Sequence, residues 1–587
     1  MTPSEPKKVL RIDLDRERSE TLEIPTGVLL ECPSGAALAT RLLTDHLPSG
    51  TDPLAPESVI VFAAGLLAGL PYPGSTRFAV AAKSPLTGCW AGGTMGGEFA
   101  WSLCRSEWSA VVLRGRARDG CYVLLDEGRV YFRPAKPFLG MSLVRTREAL
   151  RRTWGEDIAV LGVGPAGEAG VRFASVSDGS PERGVRGGLG AVFGSKNLKA
   201  LVIRPDRPVR IEQPEAFLKA AAPLIRSLSE AGDHPAVNMG TPLALRNLNQ
   251  VNALPSHNFR NAGFEESWFD AVEGLAVKKR ACIGCPLSCG NLFFPEEDYG
   301  KSGEAVDLPL FPEHLWALGP LLDIKETEET LKTLGICRDM GLDPVSMGIV
   351  AAWAAECLEN GIDLGVDLGA EAGFGGGPWL ASLPAELISG SELGDLLGMG
   401  VFSAAKKLGP EALKFAVHFG GQELSYADPR RAFRPLSYLG PAVDPTTVDA
   451  GPERTLKDEE WASEMIRLED RWALLETVGV CPRVFAAQPD PLEKLAAMCR
   501  LVIGDAASDE CLPGWGRRCV EGIKSFDWRE GSRPSGLTLA ERFFSEDLAG
   551  NGETYAVLDR THWKNRMETY FTARGWTSEG MPPEGRR

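Results

Sequence analysis

Three cysteines lie close together near the middle of the chain, at Cys282, Cys285 and Cys289, with the spacing C-x2-C-x3-C. Their thiolates can bind three corners of a cubane iron–sulfur cluster if the loop curls around it, and Gly284 and Gly290 allow that curl. Structural zinc usually takes its thiols as two separated pairs. The spacing therefore favours an iron–sulfur cluster, with zinc and plain buried cysteine as alternatives, and a fourth ligand must come from another segment.

The composition is typical of a globular enzyme in a reducing compartment. The 587 residues predict two to four domains, and 44% hydrophobic with 24% charged residues is an ordinary balance. Thirteen cysteines, an odd number, argue against a secreted disulfide framework. Because the N-terminus also lacks the apolar segment of a signal peptide, we expect a cytoplasmic protein.

The charge and hydropathy patterns exclude two classes of partner. A formal net charge of −16 disfavours nucleic acid and anionic membrane surfaces. The longest apolar run, residues 59–70, is too short to span a bilayer and predicts a buried strand followed by a turn. The basic segment 278–280, directly before the cysteine run, is either a site for a small acidic partner or a solvated charge run.

The periodicity of apolar residues changes near residue 205. Before it, short apolar segments alternate with glycine and proline, which is typical of strands. After it, amphipathic helices are predicted at 327–339, 346–360, 391–408, 457–475 and 491–503. We therefore expect an α+β fold in which a β-rich, β-sandwich-like domain (1–205) precedes two mainly α-helical domains (206–410 and 411–587).

Glycine-rich segments cluster in the predicted β-rich domain. Residues 186–196 combine close backbone approach with an arginine and a lysine, which suits a phosphate-bearing cofactor. A second glycine-rich loop is predicted at 92–97. The segment 162–167 resembles a dinucleotide-binding loop only superficially, because it contains a proline and no clear helix follows. Each of these segments, taken alone, is also compatible with a tight turn.

Several motifs are spread along the whole chain in a defined order. They are residues 83–88 with the glycine pair 96–97, residues 164–168, the block 186–199, the three cysteines, and the C-terminal segment 570–576. This order is the one seen in the tungsten-containing aldehyde:ferredoxin oxidoreductases. The chain from about residue 7 to 582 thus resembles this family. The resemblance implies a tungsten or molybdenum ion held by two pterins, Mg²⁺ bridging the pterin phosphates, and a four-iron, four-sulfur cluster.

The resemblance also assigns the cluster ligands. Cys282, Cys285 and Cys289 correspond to three of them and Cys481 to the fourth. Cys481 ends one of two segments similar to the family's D-x-x-G-L-C/D pterin motif; the other is 338–343. The implied pterin contacts in these two motifs are Arg338, Asp339, Gly341, Leu342, Asp343, Glu476, Gly479 and Val480.

Both motifs depart from the family pattern at their first position. Glu476 replaces an aspartate and can still accept pterin N–H bonds, whereas Arg338 cannot accept any. Asp339 or Asp343 would then have to supply the acceptor. Thr94 stands where relatives often have asparagine, which bears on the magnesium contact. The resemblance implies that the phosphates and Mg²⁺ lie near Arg77, Thr94, Met95, Gly96, Gly97, Arg186, Gly187, Gly188 and Gly190.

Glu313 is the candidate catalytic carboxylate. Its segment, 311–320, is similar to the family's E-x-E-T-x-x-x-L-G-P stretch, and Glu313 matches the second glutamate. The resemblance implies that it activates water or takes a proton, and its apolar neighbours would raise its pKa for that task. The family's histidine after the D-P-R motif is missing between 438 and 444. His314 is the candidate replacement donor, with a capping or surface role as the alternative.

The implied reaction is oxidation of an aldehyde with water to a carboxylic acid. Electrons would leave through the cluster to ferredoxin or to an iron–sulfur partner subunit, which the basic segment 278–280 would steer. The first alternative is a reductive relative, similar to the tungsten subunit of benzoyl-CoA reductase complexes, with an acyl substrate. The others are a family member of unknown substrate in a larger homo- or hetero-oligomer and a non-redox zinc or metal-free interaction protein.

Overall fold

A computed structural model gives the fold of the chain. The residues it describes are 7–583, without the segments 179–183, 210, 212, 231–240, 288–289, 294–310, 427, 432–455, 489, 505–510, 534–537 and 551. Cys289 and the segment 438–444 lie outside the described residues. The side chains of 241–244, 276–280 and 290–293 also lie outside them.

The N-terminal part contains two β-sheets. The first has six strands in the spatial order β2-β1-β6-β3-β4-β5: β1 (Lys8–Asp13), β2 (Arg18–Glu23), β3 (Ile60–Ala64), β4 (Arg77–Lys83), β5 (Trp90–Gly96) and β6 (Ala110–Arg114). The second has the order β8-β7-β10-β9: β7 (Cys121–Asp126), β8 (Arg129–Pro134), β9 (Ala159–Gly162) and β10 (Leu198–Arg204). Neighbouring strands are antiparallel except for the pairs β1–β6 and β7–β10.

The first sheet is buried on both faces because its strands are apolar at consecutive positions. Ile60 and Phe62 of β3 pack in one cluster with Leu201 of the second sheet. Val61 and Ala63 point the opposite way, into the large cluster formed with the helices. The two sheets therefore form a sandwich, and helices cover the outer face of the first sheet.

The α-helices described in the sandwich region are α1 (Thr26–Glu31), α2 (Gly35–His46), α3 (Glu98–Cys104), α4 (Leu143–Trp154), α5 (Pro165–Glu168) and α6 (Leu189–Gly194). The next helices are α7 (Pro214–Glu230), α8 (Thr241–Gln250), α9 (Glu266–Gly274), α10 (Pro312–Leu318), α11 (Thr327–Met340) and α12 (Pro344–Glu359). Then follow α13 (Gly377–Ser389), α14 (Glu392–Leu397), α15 (Val401–Leu408) and α16 (Pro410–Leu413).

The C-terminal helices are α17 (Asp458–Val478), α18 (Pro482–Ala486), α19 (Pro491–Ile503), α20 (Cys511–Arg529), α21 (Arg542–Ser545) and α22 (Arg560–Arg574). Short strands connect these parts: β11 (Pro255–Ser256), β12 (Asn261–Ala262), β13 (Ala276–Arg280), β14 (Gly290–Phe293), β15 (His418–Phe419), β16 (Gln422–Glu423), β17 (Leu548–Gly550) and β18 (Glu553–Tyr555). The predicted α+β class, with a sandwich-like N-terminal region and a helical remainder, is confirmed, while the domain boundaries at 205 and 410 stay predictions.

One predicted helix is divided in two. The sequence pattern indicated a single helix over 391–408, but α14 ends at Leu397 and α15 begins at Val401. Gly400 between them has φ +82°, and a Cβ there would lie 2.8 Å from Oε1 of Glu423. The break therefore lets Glu423 accept a hydrogen bond from the first amide of α15 (3.0 Å to Val401 N).

Two helices of the helical part end against the sandwich in the same way. α11 ends at Gly341 (φ +74°) and α17 at Gly479 (φ +76°), both left-handed C-caps. A Cβ on Gly164, just after β9, would lie 2.5 Å from Met340 O, and one on Gly479 would lie 2.7 Å from Cα of Gly65, just after β3. Glycine is therefore required at both contacts, and both segments that resemble pterin motifs dock at strand ends.

The C-terminal signature fixes α22 against α17. Arg574 donates to Glu469 (2.6 Å) and Asp470 (2.5 Å) of α17, and the Tyr570 hydroxyl also donates to Glu469. Arg574 and Glu469 are both 1% exposed, so the pair is fully buried. Trp576 stacks on Phe571 with ring centroids 6.3 Å apart. The segment 570–576 thus has a structural role, which is to hold α17, the helix that carries Glu476 and is followed by Cys481.

We expect Gly479→Ala to destabilise the protein more than Gly575→Ala, its matched control. Both glycines are left-handed C-caps, so both alanines carry the left-handed backbone cost of about 1 kcal/mol. Only Gly479 faces neighbouring backbone, whereas a Cβ on Gly575 meets nothing within 4 Å. Overpacking should add roughly 1–3 kcal/mol at Gly479. Equal losses of unfolding temperature in the two variants would contradict the packed contact.

Candidate functional site

Strand β5, at the edge of the first sheet, is where the predicted cofactor residues meet. A Cβ on Gly187 would lie 2.7 Å from Ala91 Cβ, so the 186–190 segment lies against the start of this strand. A Cβ on Gly93 would lie close to Val185 and 3.9 Å from Oε1 of Glu476. Segments far apart in sequence thus converge on the glycines of β5.

Arg77 and Thr94 are bound to each other on adjacent strands. The Arg77 guanidinium donates to Thr94 O (2.9 Å) and to Thr94 Oγ1 (3.2 Å). The sequence predicted a loop at 92–97, but the structure has a strand as far as Gly96, since residues 90–96 pair with the whole of β4. Met95 is buried, and Gly97 begins α3 with φ +125°. The region therefore offers a strand edge and a cation.

Arg186 is held by two groups of the helical part. Its Nε donates to Oδ2 of Asp343 (2.8 Å), and Nη2 donates to the main-chain oxygen of Glu423 (3.1 Å). Nη1 is buried and has no hydrogen-bond partner among the described residues. Burial alone would raise the pKa of Asp343, but the Arg186 guanidinium and the Ser346 hydroxyl hold it below its ordinary value.

The glycines that follow Arg186 are required by chain packing. A Cβ on Gly188 (φ +80°) would collide with Arg172 O, and one on Gly190 would lie 2.5 Å from Ser175 O. Gly187 (φ +91°) has its main-chain oxygen bound by the Ser84 hydroxyl (2.9 Å). The backbone of this segment therefore does approach its surroundings closely, as predicted, and the groups that it approaches belong to the protein. Arg186 is the residue of the segment whose side chain binds the helical part.

The two pterin-like motifs have similar backbone geometry and different side chains. The N–H groups of Leu342 and Val480 close the ends of α11 and α17 by donating to Cys337 O (2.8 Å) and Leu475 O (3.0 Å). Leu342 and Val480 are buried, and the Cys337 thiol is buried as well, which raises its pKa and makes it inert. Each motif is thus the C-terminal end of a helix, and the polar side chains before the glycine lie in the last helical turn.

The carboxylates of these motifs, which are the candidate hydrogen-bond acceptors for a pterin, differ in their surroundings. Glu476 is 9% exposed and lies by Gly93. Arg338 occupies the last turn of α11, and Asp339 beside it is half-buried; burial raises the pKa of Asp339, although Arg338 and Arg145 oppose this. Asp343 is already engaged by Arg186. Of the two acceptors offered in place of Arg338, Asp339 is therefore the one not committed to that ion pair.

The cysteine segments meet on either side of the turn 74–76. Cys481 N–H donates to Gly74 O (2.9 Å), and the Thr76 hydroxyl donates to Ile283 O (2.9 Å), between Cys282 and Cys285. Cys285 and Cys481 also pack against the same hydrophobic cluster. Within the described part of the chain no three His, Cys, Asp or Glu side chains are grouped for metal binding. Because Cys289 lies outside that part, the four-cysteine site stays a prediction.

Glu313 and His314 lie in α10 and are only 4% and 6% exposed. The His314 ring packs edge-to-face with Phe311 (centroids 5.3 Å apart), and its charge acts on Asp343, whose pKa it helps to lower. The surface role that was the alternative for His314 is therefore wrong. α10 packs against α12, which begins directly after Asp343, so the candidate acid–base pair and the Arg186 pair belong to one buried region.

Three buried polar residues in this region were not predicted from the sequence. They are Ser346, whose hydroxyl contacts the carboxyl groups of both Asp343 and Glu423, then Glu423 itself, and His418, its cross-strand neighbour. Burial lowers the pKa of His418 to about 4, so it is neutral at physiological pH. These residues do not belong to any motif that can be recognised in the sequence. The one available signal was the D-P-R motif at 428–430, close to Glu423.

The D-P-R motif itself is structural. Arg430 and Asp428 form a fully buried ion pair (2.7 Å), with both side chains 0% exposed. Arg430 also donates to the main-chain oxygens of Phe259 and Glu546 (2.7 Å to the latter). It therefore joins three segments of the helical part.

Comparison with protein families decides the assignment. The family model "Aldehyde ferredoxin oxidoreductase, N-terminal domain" matches residues 9–205, and "Aldehyde ferredoxin oxidoreductase, domains 2 & 3" matches residues 219–586. The chain belongs to the aldehyde ferredoxin oxidoreductase family. The resemblance drawn from the motifs is confirmed, as is the prediction of an oxidoreductase enzyme of this type.

Two relatives of this aldehyde ferredoxin oxidoreductase family member match over nearly its whole length, and a third matches over a shorter part. A tungsten-containing aldehyde ferredoxin oxidoreductase of Pyrococcus horikoshii is 28% identical over 563 residues, covering 91% of this chain and 90% of the relative. That of Thermococcus kodakarensis is 26% identical, covering 98% and 97%. A Pyrococcus furiosus protein described as the WOR-like subunit of an aliphatic sulfonate oxidoreductase is 26% identical over 70% of each chain.

A solved structure shares the fold. The active-site complex BamBC of benzoyl coenzyme A reductase, bound to 1,5-dienoyl-CoA, superposes with a TM-score of 0.84, covering 100% of this chain and 96% of that one. The sequence identity is 19%. Among the described helices none is long and apolar enough to cross a membrane.

The residues around β5 fit the tungsten–pterin cofactor that membership in the family implies. Arg186 keeps a buried Nη1 donor for which the described residues provide no partner, as expected where an anionic group binds. Gly93 keeps the strand free of a side chain next to Glu476, which can accept N–H bonds. Arg77 supplies a second cation on the neighbouring strand. Hydrogen-bond donors, a hydrogen-bond acceptor and a stretch of strand without side chains therefore lie in one place.

We expect Arg186→Met to cost about 3–5 kcal/mol of stability, because it leaves Asp343 buried without its counter-ion. Arg114→Met is the matched control: its partner Asp13 lies in an ion pair of similar length (2.7 Å), but with side-chain exposures of 41% and 15% against 17% and 3%. That exposed pair should contribute no more than about 1 kcal/mol. Denaturant unfolding of both variants checks the difference. Comparable losses would show that the Arg186 pair is not structurally important.

Proposed function

We propose that this enzyme oxidises an aldehyde with water to a carboxylic acid and passes the two electrons to ferredoxin or to an iron–sulfur partner subunit. The observation that carries the proposal is the burial of Glu313 and His314 on α10, beside the pterin-motif residue Asp343, in a chain that both family models match. A buried carboxylate and imidazole next to a cofactor motif suit general acid–base catalysis.

Arg77 and Arg186 would bind the pterin phosphates, with Mg²⁺ close to Thr94. Glu476 and Asp339 would accept pterin N–H bonds, one in each motif. The chemistry that the bound tungsten–pterin group supplies is two-electron oxidation of the substrate carbon; molybdenum could fill the same role. The Arg186–Asp343 ion pair (2.8 Å) holds the guanidinium in a fixed position, so binding requires little reorganisation.

The residues of α10 would carry the proton steps. Conversion of an aldehyde and water into a carboxylic acid releases two electrons and two protons. Glu313 would take a proton from water as the new carbon–oxygen bond forms, and His314 would hydrogen-bond the aldehyde oxygen. Both side chains are nearly excluded from solvent. Exclusion of bulk water strengthens these hydrogen bonds and limits side reactions.

The four cysteines would hold the cluster that carries electrons out. Cys481 directly follows the motif 476–480, so one short segment would link pterin and cluster. The hydrogen bonds of the turn 74–76 to both cysteine segments support their proximity. The basic residues 278–280 lie on β13, and we propose that they attract an acidic carrier. A relative described as one subunit of a larger enzyme supports a hetero-oligomer.

An assay of the anaerobically purified enzyme tests the reaction. With a dye as electron acceptor we expect turnover of one or more aldehydes and no reduction of aromatic acyl-CoA thioesters. Thioester reduction without aldehyde oxidation would instead favour the reductive relative, whose fold BamBC shares. The non-redox alternative loses support from the family assignment.

We expect Glu313→Gln to lower kcat by roughly 10²–10⁴-fold, the contribution typical of a general base. Glu328→Gln, an exposed glutamate in the first turn of α11, is the control and should keep full kcat. Tungsten content must be measured in both, so that lost activity is not lost cofactor. A Glu313→Gln enzyme with normal tungsten content and normal kcat would exclude the proposed role.

A further inference from the structure

Asp343, Ser346 and Glu423 form one buried hydrogen-bond chain. The Ser346 Oγ lies 2.7 Å from Oδ2 of Asp343 and 2.9 Å from Oε2 of Glu423. Asp343 and Glu423 are 3% and 0% exposed, and Ser346 is 0% exposed. Both distances are those of ordinary O–H···O hydrogen bonds. A single serine hydroxyl therefore bridges two buried carboxyl groups.

Counting protons shows that this chain holds one more proton than two carboxylates and a serine normally carry. A hydroxyl has one hydrogen and can donate to only one of its two carboxyl neighbours. The other contact is a hydrogen bond only if that carboxyl group carries a proton and donates it to Ser346 Oγ. Without the extra proton, one of the two short contacts would be repulsive.

The surroundings decide which carboxyl group holds the proton. Asp343 accepts from Arg186 and from the Val345 and Ser346 amides at the start of α12, which favours its charged form. Glu423 has no cationic side chain bonded to its carboxyl group among the described residues. Burial raises the pKa of Glu423, although Arg186 and the bonds from Val401 and Ser346 act against this. The proton therefore belongs to Glu423.

The charged and titratable groups around Glu423 agree with a neutral acid. The opposite charges of Arg186 and Asp343 cancel in their ion pair, and the charge of His314 acts on Asp343. His418, on the strand paired with that of Glu423, is neutral. The Val401 amide of α15 donates to Oε1 of Glu423, and the Gln422 side chain donates to Oε2 of Glu423 (3.0 Å). An ionised Glu423 would leave a net negative charge in a site without solvent, which is costly.

We propose that Asp343, Ser346 and Glu423 share one proton, and that Glu423 is a neutral positioning residue that keeps Asp343 charged for Arg186. The chain runs Glu423 O–H to Ser346 Oγ, then Ser346 O–H to Asp343, and Asp343 binds the Arg186 guanidinium. Its importance for the cofactor rests on the proposed role of Arg186 in phosphate binding. The proton assignment itself does not depend on that role.

The proposal predicts a pH dependence of defined sign. The pKa of Glu423 is raised in the folded state, so its contribution to stability is complete below the pKa of the unfolded chain and is lost as pH rises through the folded pKa. Glu423→Gln removes this titration, because its amide is always neutral and can donate to Ser346 Oγ. The variant should therefore lose less stability than the wild type on the alkaline side.

Infrared spectroscopy of the intact enzyme with ¹³C-labelled glutamate tests the proton directly. We expect a protonated carboxyl band at neutral pH in the wild type and its absence in Glu423→Gln. The unfolding temperature of Glu423→Gln should stay within about 2 °C of the wild type. Glu356→Gln is the matched control: Glu356 is 2% exposed, but it is the ion-pair partner of Arg542 (2.9 Å), so its loss should lower the unfolding temperature by more than about 5 °C.

Two outcomes would overturn the proposal. The first is a wild-type spectrum without a glutamic acid band at neutral pH, which needs no variant. The second is a Glu423→Gln variant as unstable as Glu356→Gln, because it would show that Glu423 acts as a charged group. If the band is present but aldehyde oxidation is not, the proton assignment stands and the proposed function fails.

Discussion

Two helix ends closed by left-handed glycines determine where everything else in this protein can lie. Gly341 and Gly479 bring α11 and α17 against Gly164 and Gly65, each just beyond a strand of the sandwich. Any side chain at these contacts would force backbones apart. The same contacts place the polar ends of both motifs beside the sandwich and Cys481 beside the turn at Gly74. The geometry of the candidate cofactor site is thus a consequence of backbone packing.

The second constraint is electrostatic. Arg186 comes from the sandwich and Asp343 from the helical part, so their buried ion pair joins the two parts at the site. A buried pair adds little net stability, but breaking it is expensive, and this makes its geometry well defined. Glu423 and Ser346 extend the pair into a network that keeps the total charge near zero. A cation is therefore held rigidly in the region that we propose for the anionic cofactor.

Local patterns predicted the parts of the site that depend on local chemistry. The C-x2-C-x3-C spacing and the cation of the 186–196 segment can be recognised in single segments. The rest depends on distant contacts: Ser346 and Glu423 are 77 residues apart and Arg186 and Asp343 are 157 apart, so no window contains both partners. The sequence predicts a loop at 92–97, whereas the structure has a strand as far as Gly96, because its pairing with β4 comes from tertiary structure. Burial of Glu313, in contrast, followed from its apolar neighbours.

The most direct test of the account is metal and pterin analysis of the protein purified without oxygen, for the wild type and Cys481→Ser. The account predicts a tungsten or molybdenum ion, two pterins and a four-iron cluster in the wild type. In Cys481→Ser it predicts loss of iron with the pterins retained, because Cys481 would ligate the cluster while Glu476 and Arg186 remain. Zinc in place of tungsten, molybdenum and iron, or full iron content in Cys481→Ser, would contradict it.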